Sequence, residues 1–209
     1  MSLPIRSFYK SFRCMSVVVA FLSAIPLPVT YADALGAPDV RGRWGYAMAF
    51  SRVSIDDPQG PTETVTAPFP FNVVYAYSWR EPLRLWTEGF YQEAVADPSP
   101  TEIGQDLSRV GGRVLLHRRL DFPGRMRWWA GGGLTLARER FTVRQQVDSD
   151  GFGIRYDDRS ETSTGITLDA LSEWRLTKHW DSAAHLLYDS PLDNGIEELS
   201  LSITFLFTP

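Results

Sequence analysis

The chain has 209 residues, of which 44% are apolar, and a formal net charge of −4 at pH 7. That length suits one domain, the apolar share argues against a disordered chain, and the acidic balance excludes the basic face that nucleic-acid binding needs. The one cysteine, Cys14, falls in the leader described next, so the mature part has no disulfide framework, zinc cluster or cysteine nucleophile.

Residues 1–34 read as a cleavable signal peptide. Arg6, Lys10 and Arg13 form a basic opening, Met15 to Ile25 a short apolar run, and Ala32-Asp33-Ala34 a small-x-small cleavage pattern. A membrane anchor needs roughly 20 apolar residues, and Pro26 and Pro28 interrupt this run early. Arg13 directly before Cys14 also disagrees with a lipidated cysteine. Residues 35–209 are then the mature domain.

Past residue 40 the apolar residues recur with period two, the signature of strands. Trp44, Tyr46, Met48 and Phe50 alternate with Gly45, Ala47, Ala49 and Ser51. The same pattern runs through Phe71 to Trp79, Ile166 to Leu176 and Leu199 to Phe207. Eight segments follow, at about 41–54, 69–79, 83–94, 109–120, 126–147, 152–176, 180–189 and 197–207. Their connections alternate in kind. Residues 80–82, 121–125 and 177–179 are tight; 55–68, 95–108 and 190–196 are longer, and Asp148-Ser149-Asp150-Gly151 is a hairpin tip on two extended strands. Short turns on one side and long excursions on the other predict an all-β, eight-stranded, antiparallel up-and-down transmembrane β-barrel.

A soluble barrel would point its bulky residues inward. Here the residues alternating with them are small or charged, which suits the narrow lumen of about eight strands. The expected lumen charge network is Glu88, Arg113, Arg127, Asp169, Glu173, Arg175 and Asp181, joined by His185. Glu88, Asp169 and Glu173 are the expected partners of Arg113 and Arg127, and Arg175 is expected to face Asp181 across the third tight turn. The tryptophans sit close to tight turns or to the start of the mature chain. Trp44, Trp79, Trp86, Trp128, Trp174 and Trp180 are therefore expected to form an aromatic girdle at one membrane interface. Phe50, Phe71, Tyr91, Phe141 and Tyr188 would mark the other rim.

Two chemistries are suggested by residue type and opposed by spacing. Ser182 and His185, with Asp181 and Asp189 nearby, hint at a hydrolase, but parity puts Ser182 and His185 on opposite faces. The Asp148 tip fails the calcium-loop pattern, with Phe152 and Arg159 at positions that need ligands. No catalytic residue, metal site or cofactor is assigned.

The arrangement resembles the small eight-stranded outer-membrane proteins of Gram-negative bacteria, over essentially the whole mature chain. Leu199 to Phe207 is similar to the C-terminal assembly signal of that class, with Phe205 and Phe207 as its aromatic residues, displaced by Thr208-Pro209 from the usual last position. Trp129-Ala130-Gly131-Gly132-Gly133-Leu134 resembles the Gly-rich fifth strand of several such barrels. The resemblance implies a monomer in the outer membrane, surrounded by membrane lipid and lipopolysaccharide and inserted by the barrel-assembly machinery. The function expected is envelope structure or surface interaction through extracellular loops. The alternatives are a lipid-modifying hydrolase or acyltransferase, and a narrow conduit for small molecules.

Overall fold

The computed structural model describes residues 42–209, except 56, 61, 62, 81, 125, 149 and 194 and the side chains of 63, 68–70, 79 and 80. The leader, 1–34, lies outside the described residues. The strands are β1 (Gly42–Ile55), β2 (Glu63–Arg80), β3 (Leu83–Ala96), β4 (Gly104–Leu120), β5 (Arg127–Val147), β6 (Gly153–Arg155), β7 (Arg159–Arg175), β8 (Trp180–Pro191) and β9 (Ile196–Phe207). Each barrel strand pairs antiparallel with its neighbour in sequence, β5 pairs with β7, and β9 returns to β1 with Trp44 opposite Phe207 and Ile55 opposite Ile196. The result is a closed barrel of eight strands, which leaves no open sheet edge. The three-residue β6 pairs only with the end of β5, so it extends a hairpin beyond the barrel.

The expected sixth strand, 152–176, is thus two elements. The break at residues 156–158 has a local cause: Arg144 donates to the Asp157 carbonyl at 2.7 Å, and Tyr156 N–H donates to the Arg144 carbonyl at 2.9 Å. That closes the chain around one side chain and interrupts the ladder. β2 and β4 also start earlier than the sequence suggests, which shortens the two long connections. Turn chemistry at the opposite end is compact. The Thr177 hydroxyl oxygen accepts from the N–H groups of His179 and Trp180, and Leu176 N–H donates to the Trp180 carbonyl at 2.9 Å.

Alternation sorts the side chains cleanly. Trp44, Tyr46, Met48, Phe50, Phe71, Val73, Leu134, Leu136, Ile166, Leu168, Leu201, Ile203 and Phe207 are exposed on the outer wall. An apolar exterior around a closed set of backbone hydrogen bonds is the condition for crossing hydrocarbon with strands. β5, at 21 residues, is about twice the 9–11 that a tilted spanning strand needs. Its outer part therefore stands clear of the lipid.

One expectation about the girdle is corrected. Trp86 lies in the lumen with none of its surface exposed. Parity explains it: Trp86 stands between Arg84 and Glu88, two residues from each, and all three are buried. Trp129 is likewise inside, as is Phe141, which had been placed at the far rim. The side chain of Trp79 lies outside the described residues. Trp44, Trp128, Trp174 and Trp180 occupy outward positions at the end of the barrel that holds the tight turns.

Candidate functional site

The lumen is filled by layers of charge. Nearest the tight turns, the Glu173 carboxylate receives three arginines: Arg43 at 2.6 Å, Arg84 at 2.5 Å and Arg127 at 2.7 Å. Asp181 receives Arg43 at 2.7 Å, with Arg127 and Arg175 farther off at 3.4 Å each. Arg175 and Asp181 are paired directly in register across β7 and β8. Their contact is nevertheless the longer one, and Arg43 from β1 supplies the short bond. Arg84 is fully buried with its guanidinium carbon 4.1 Å from the Trp129 ring centre and 5.1 Å from that of Trp86. Two indole faces thus replace the water that this cation loses.

The next layer is Asp169, with His117 Nε2 at 3.0 Å and His185 Nδ1 at 3.2 Å from the same oxygen. Trp86 lies against both imidazoles, at ring-centre distances of 5.7 and 4.7 Å. Gly131 makes room for His117: it lies opposite in register, and a Cβ there would stand 2.2 Å from the imidazole. The glycine-rich run of β5 is therefore a packing requirement at this position.

Above it, Arg113 bonds Glu88 at 2.9 Å and also Glu198, while Arg109 contacts Glu198 at 2.7 Å, Asp189 at 2.9 Å and Glu139 at 3.2 Å. Phe90 lies under both guanidinium groups. The layer near the tight turns sets four arginines around two carboxylates; this one sets two arginines among four carboxylates. Charge-assisted, often two-pronged bonds of this kind are what the planar guanidinium forms best.

The residues expected in the network therefore distribute as follows. Glu88 and Arg113 meet each other, Arg127 meets Glu173, and Arg175 and Asp181 are in contact. Asp169 does not meet Arg113 or Arg127 among the contacts described; it serves the histidines. Sequence reasoning missed Arg43, Arg84, Arg109, Glu139, Asp189 and Glu198. Parity alone would have found them, since each is an even number of residues from an assigned lumen position or next to an outward aromatic or apolar residue. The hydrolase constellation is dispersed. Ser182 donates to the Thr204 carbonyl, Asp189 is held by Arg109, and His185 bonds Asp169.

The end of the barrel away from the tight turns carries a different feature. β5 bulges opposite Gly104 and Asp106, and Val143 takes φ of 54°. That is a left-handed conformation which a β-branched side chain strongly disfavours. The bulge reverses the alternation, so Arg144 turns inward and bonds Asp57 at 2.7 Å. This ties the β5–β6 hairpin to the β1–β2 connection. At the tip the Asp148 carboxylate accepts from Asp150 and Phe152 N–H groups, so the acidic tip is an Asx-type turn. Phe152, 74% exposed, and Ile154 project from the hairpin into solvent.

No protein-family model matches this chain, and no curated protein matches it by sequence. Among solved structures, Neisserial surface protein A is similar over 80% of this chain and 97% of its own, at a TM-score of 0.55 and 14% identity. OprG of Pseudomonas aeruginosa aligns over 81% of this chain and 97% of its own, at a TM-score of 0.49 and 8% identity. For Ail of Yersinia pestis the figures are 80%, 99%, 0.48 and 11%. Such identities speak to fold alone. Taken with the apolar exterior and the closed hydrogen-bond ladder, the fold is that of a small, eight-stranded outer-membrane β-barrel.

Proposed function

We propose that the protein is a non-enzymatic barrel with a closed lumen that works at the cell surface through the β5–β6 hairpin. The carrying observation is that hairpin: it extends past the barrel, is locked by Arg144 onto Asp57, and presents Phe152 and Ile154 to solvent. Exposed apolar side chains on a rigid projection are a common form of binding surface. The ion-paired lumen supports the closed state, because a conduit requires those pairs to part. In this reading the barrel is a monomer inserted by the barrel-assembly machinery, with the hairpin facing out through the lipopolysaccharide leaflet. The surface location in the name of Neisserial surface protein A accords with it.

Two measurements test the reading. In planar bilayers the purified barrel should leave conductance at the level of the bare membrane; stepwise openings would overturn the closed lumen. Cells carrying Phe152→Ser with Ile154→Ser should keep a heat-modifiable barrel and lose adhesion to one another or to protein- and polysaccharide-coated surfaces. Equal adhesion of wild-type, variant and deletion strains would overturn the surface role.

A further inference from the structure

The outer wall carries a groove of about 730 Å³ between β2 and β5. Its floor is a pair of glycines: Gly89 of β3 lies directly opposite Gly112 of β4. Val73 flanks Gly89 in register on one side, and Leu136 flanks Gly112 on the other. Val110 and Val114 complete the walls. All of these are outward positions on the lipid-facing surface.

Neither glycine is forced by packing. A Cβ at Gly89 would meet nothing within 4 Å, and at Gly112 its nearest neighbour is a carbonyl at 3.4 Å, an ordinary contact. Neither has a positive φ. The contrast with neighbouring glycines is sharp: a Cβ at Gly111 would stand 2.4 Å from the Leu136 carbonyl, and one at Gly133 1.9 Å from that of Val114. Glycine inside a strand weakens it unless something approaches the backbone closely. Here the described chain leaves the space over Gly89 open and makes only an ordinary contact at Gly112.

The groove has a charged end. Arg138 lines it, exposed on the outer face opposite Val110, with Thr162 beside it across β7. Arg140 follows two residues on, on the same face. Neither arginine makes an ion pair among the described residues. An apolar trough ending at unpaired guanidinium groups matches a molecule with a hydrocarbon chain and an anionic, fork-accepting head. Arg138 lies toward the hairpin end of β5, the end that faces out in the orientation proposed above.

We infer that this groove binds the lipid A part of lipopolysaccharide, with one acyl chain over Gly89 and Gly112 and a phosphate on Arg138. The inference rests on the proposed orientation, which surface proteolysis tests separately.

The test uses the full mature barrel, reconstituted in phosphatidylcholine nanodiscs containing either lipid A or phosphatidylglycerol as a minor component. The readout is the lipid that stays bound on gentle release into the mass spectrometer. Wild-type barrel should retain lipid A, and both Gly89→Val and Arg138→Gln should lower retention about tenfold. Gly89→Val has open space to occupy, so it should fold with undiminished heat resistance, which separates groove filling from misfolding. Loss in Arg138→Gln alone would overturn the groove and leave a plain basic surface. Unchanged retention in both variants would overturn the site. Equal or better retention of phosphatidylglycerol would overturn the assignment to lipid A, and a protein dimer lost in Gly89→Val would give the groove to a second copy of the chain.

Discussion

The two acidic residues nearest the tight turns differ sharply in what they hold, and the difference can be measured. Glu173 is fully buried and is the short-range partner of Arg43, Arg84 and Arg127. Glu173→Gln keeps the side-chain shape and removes the charge, leaving Arg84 without a carboxylate among the described contacts. Breaking a buried ion pair in this way costs about 3–5 kcal/mol. Arg175 is part-exposed, and its bond to Asp181 is 3.4 Å long, while Asp181 keeps Arg43 at 2.7 Å. Arg175→Ala therefore costs at most about 1 kcal/mol, the range of a screened pair. With a denaturant slope of about 2 kcal/mol per molar urea, the first variant should lower the unfolding midpoint by roughly 2 M and the second by under about 0.5 M. Reversible urea unfolding of the barrel in detergent micelles, followed by tryptophan fluorescence and by the gel shift of the folded form, reads both. A midpoint for Glu173→Gln within error of wild type would refute the claim that this carboxylate holds the layer together. A larger loss for Arg175→Ala than for Glu173→Gln would refute the ranking of the contacts.

Other outcomes follow from single positions. Val143→Gly should raise stability by about 1 kcal/mol, because φ of 54° costs a β-branched residue that much or more; a lower midpoint would show that the valine side chain is needed at the bulge. Phe207, packed between His179 and Trp180 at ring-centre distances of 6.3 and 5.3 Å, should be required for insertion, so Phe207→Asp should abolish the outer-membrane yield that Pro209→Asp preserves. Trypsin added to intact cells should cut after Arg155 and spare Lys178, and the reverse pattern would invert the topology. Brominated lipid should quench single-tryptophan variants retaining Trp44 or Trp180 and leave one retaining Trp86 bright, since Trp86 is enclosed by the lumen.

Strand number, pairing order and the sense of the outer face were legible because one rule, period-two alternation, governs them all. The lumen was legible in kind but incomplete in membership. Arg43 and Arg84 stand beside Trp44 and Leu85, and strict alternation places them inside. Trp86 was misplaced when chemistry was read ahead of parity: indole favours an interface, but a tryptophan two residues from Glu88 must share its face. The partner choices were less accessible. Arg43 and Glu173 are 130 residues apart, and their meeting depends on barrel closure and stagger, which no local pattern encodes. The bulge at Val143 was hidden for a related reason. It serves the contact of Arg144 in β5 with Asp57 in the β1–β2 connection, two residues far apart in sequence.

That same distance in sequence has a consequence for how the barrel comes into being. Arg43 arrives on the first strand and its acceptors, Glu173 and Asp181, on the seventh and eighth elements of the fold. Arg109 and Arg113 wait in the same way for Glu198 on the last strand. A sheet that has not yet joined β1 to β9 therefore presents arginines with their final acceptors missing, in an environment where unpaired charge is costly. Seam closure and charge neutralisation become one event, in which ion pairing offsets the entropic cost of long-range loop closure. Half-zipped sheets have little reason to persist, and a barrel closed in the wrong register would misalign several ion pairs at once. The interior thus checks the register of the seam, a task that the uniform apolar exterior has no means to perform.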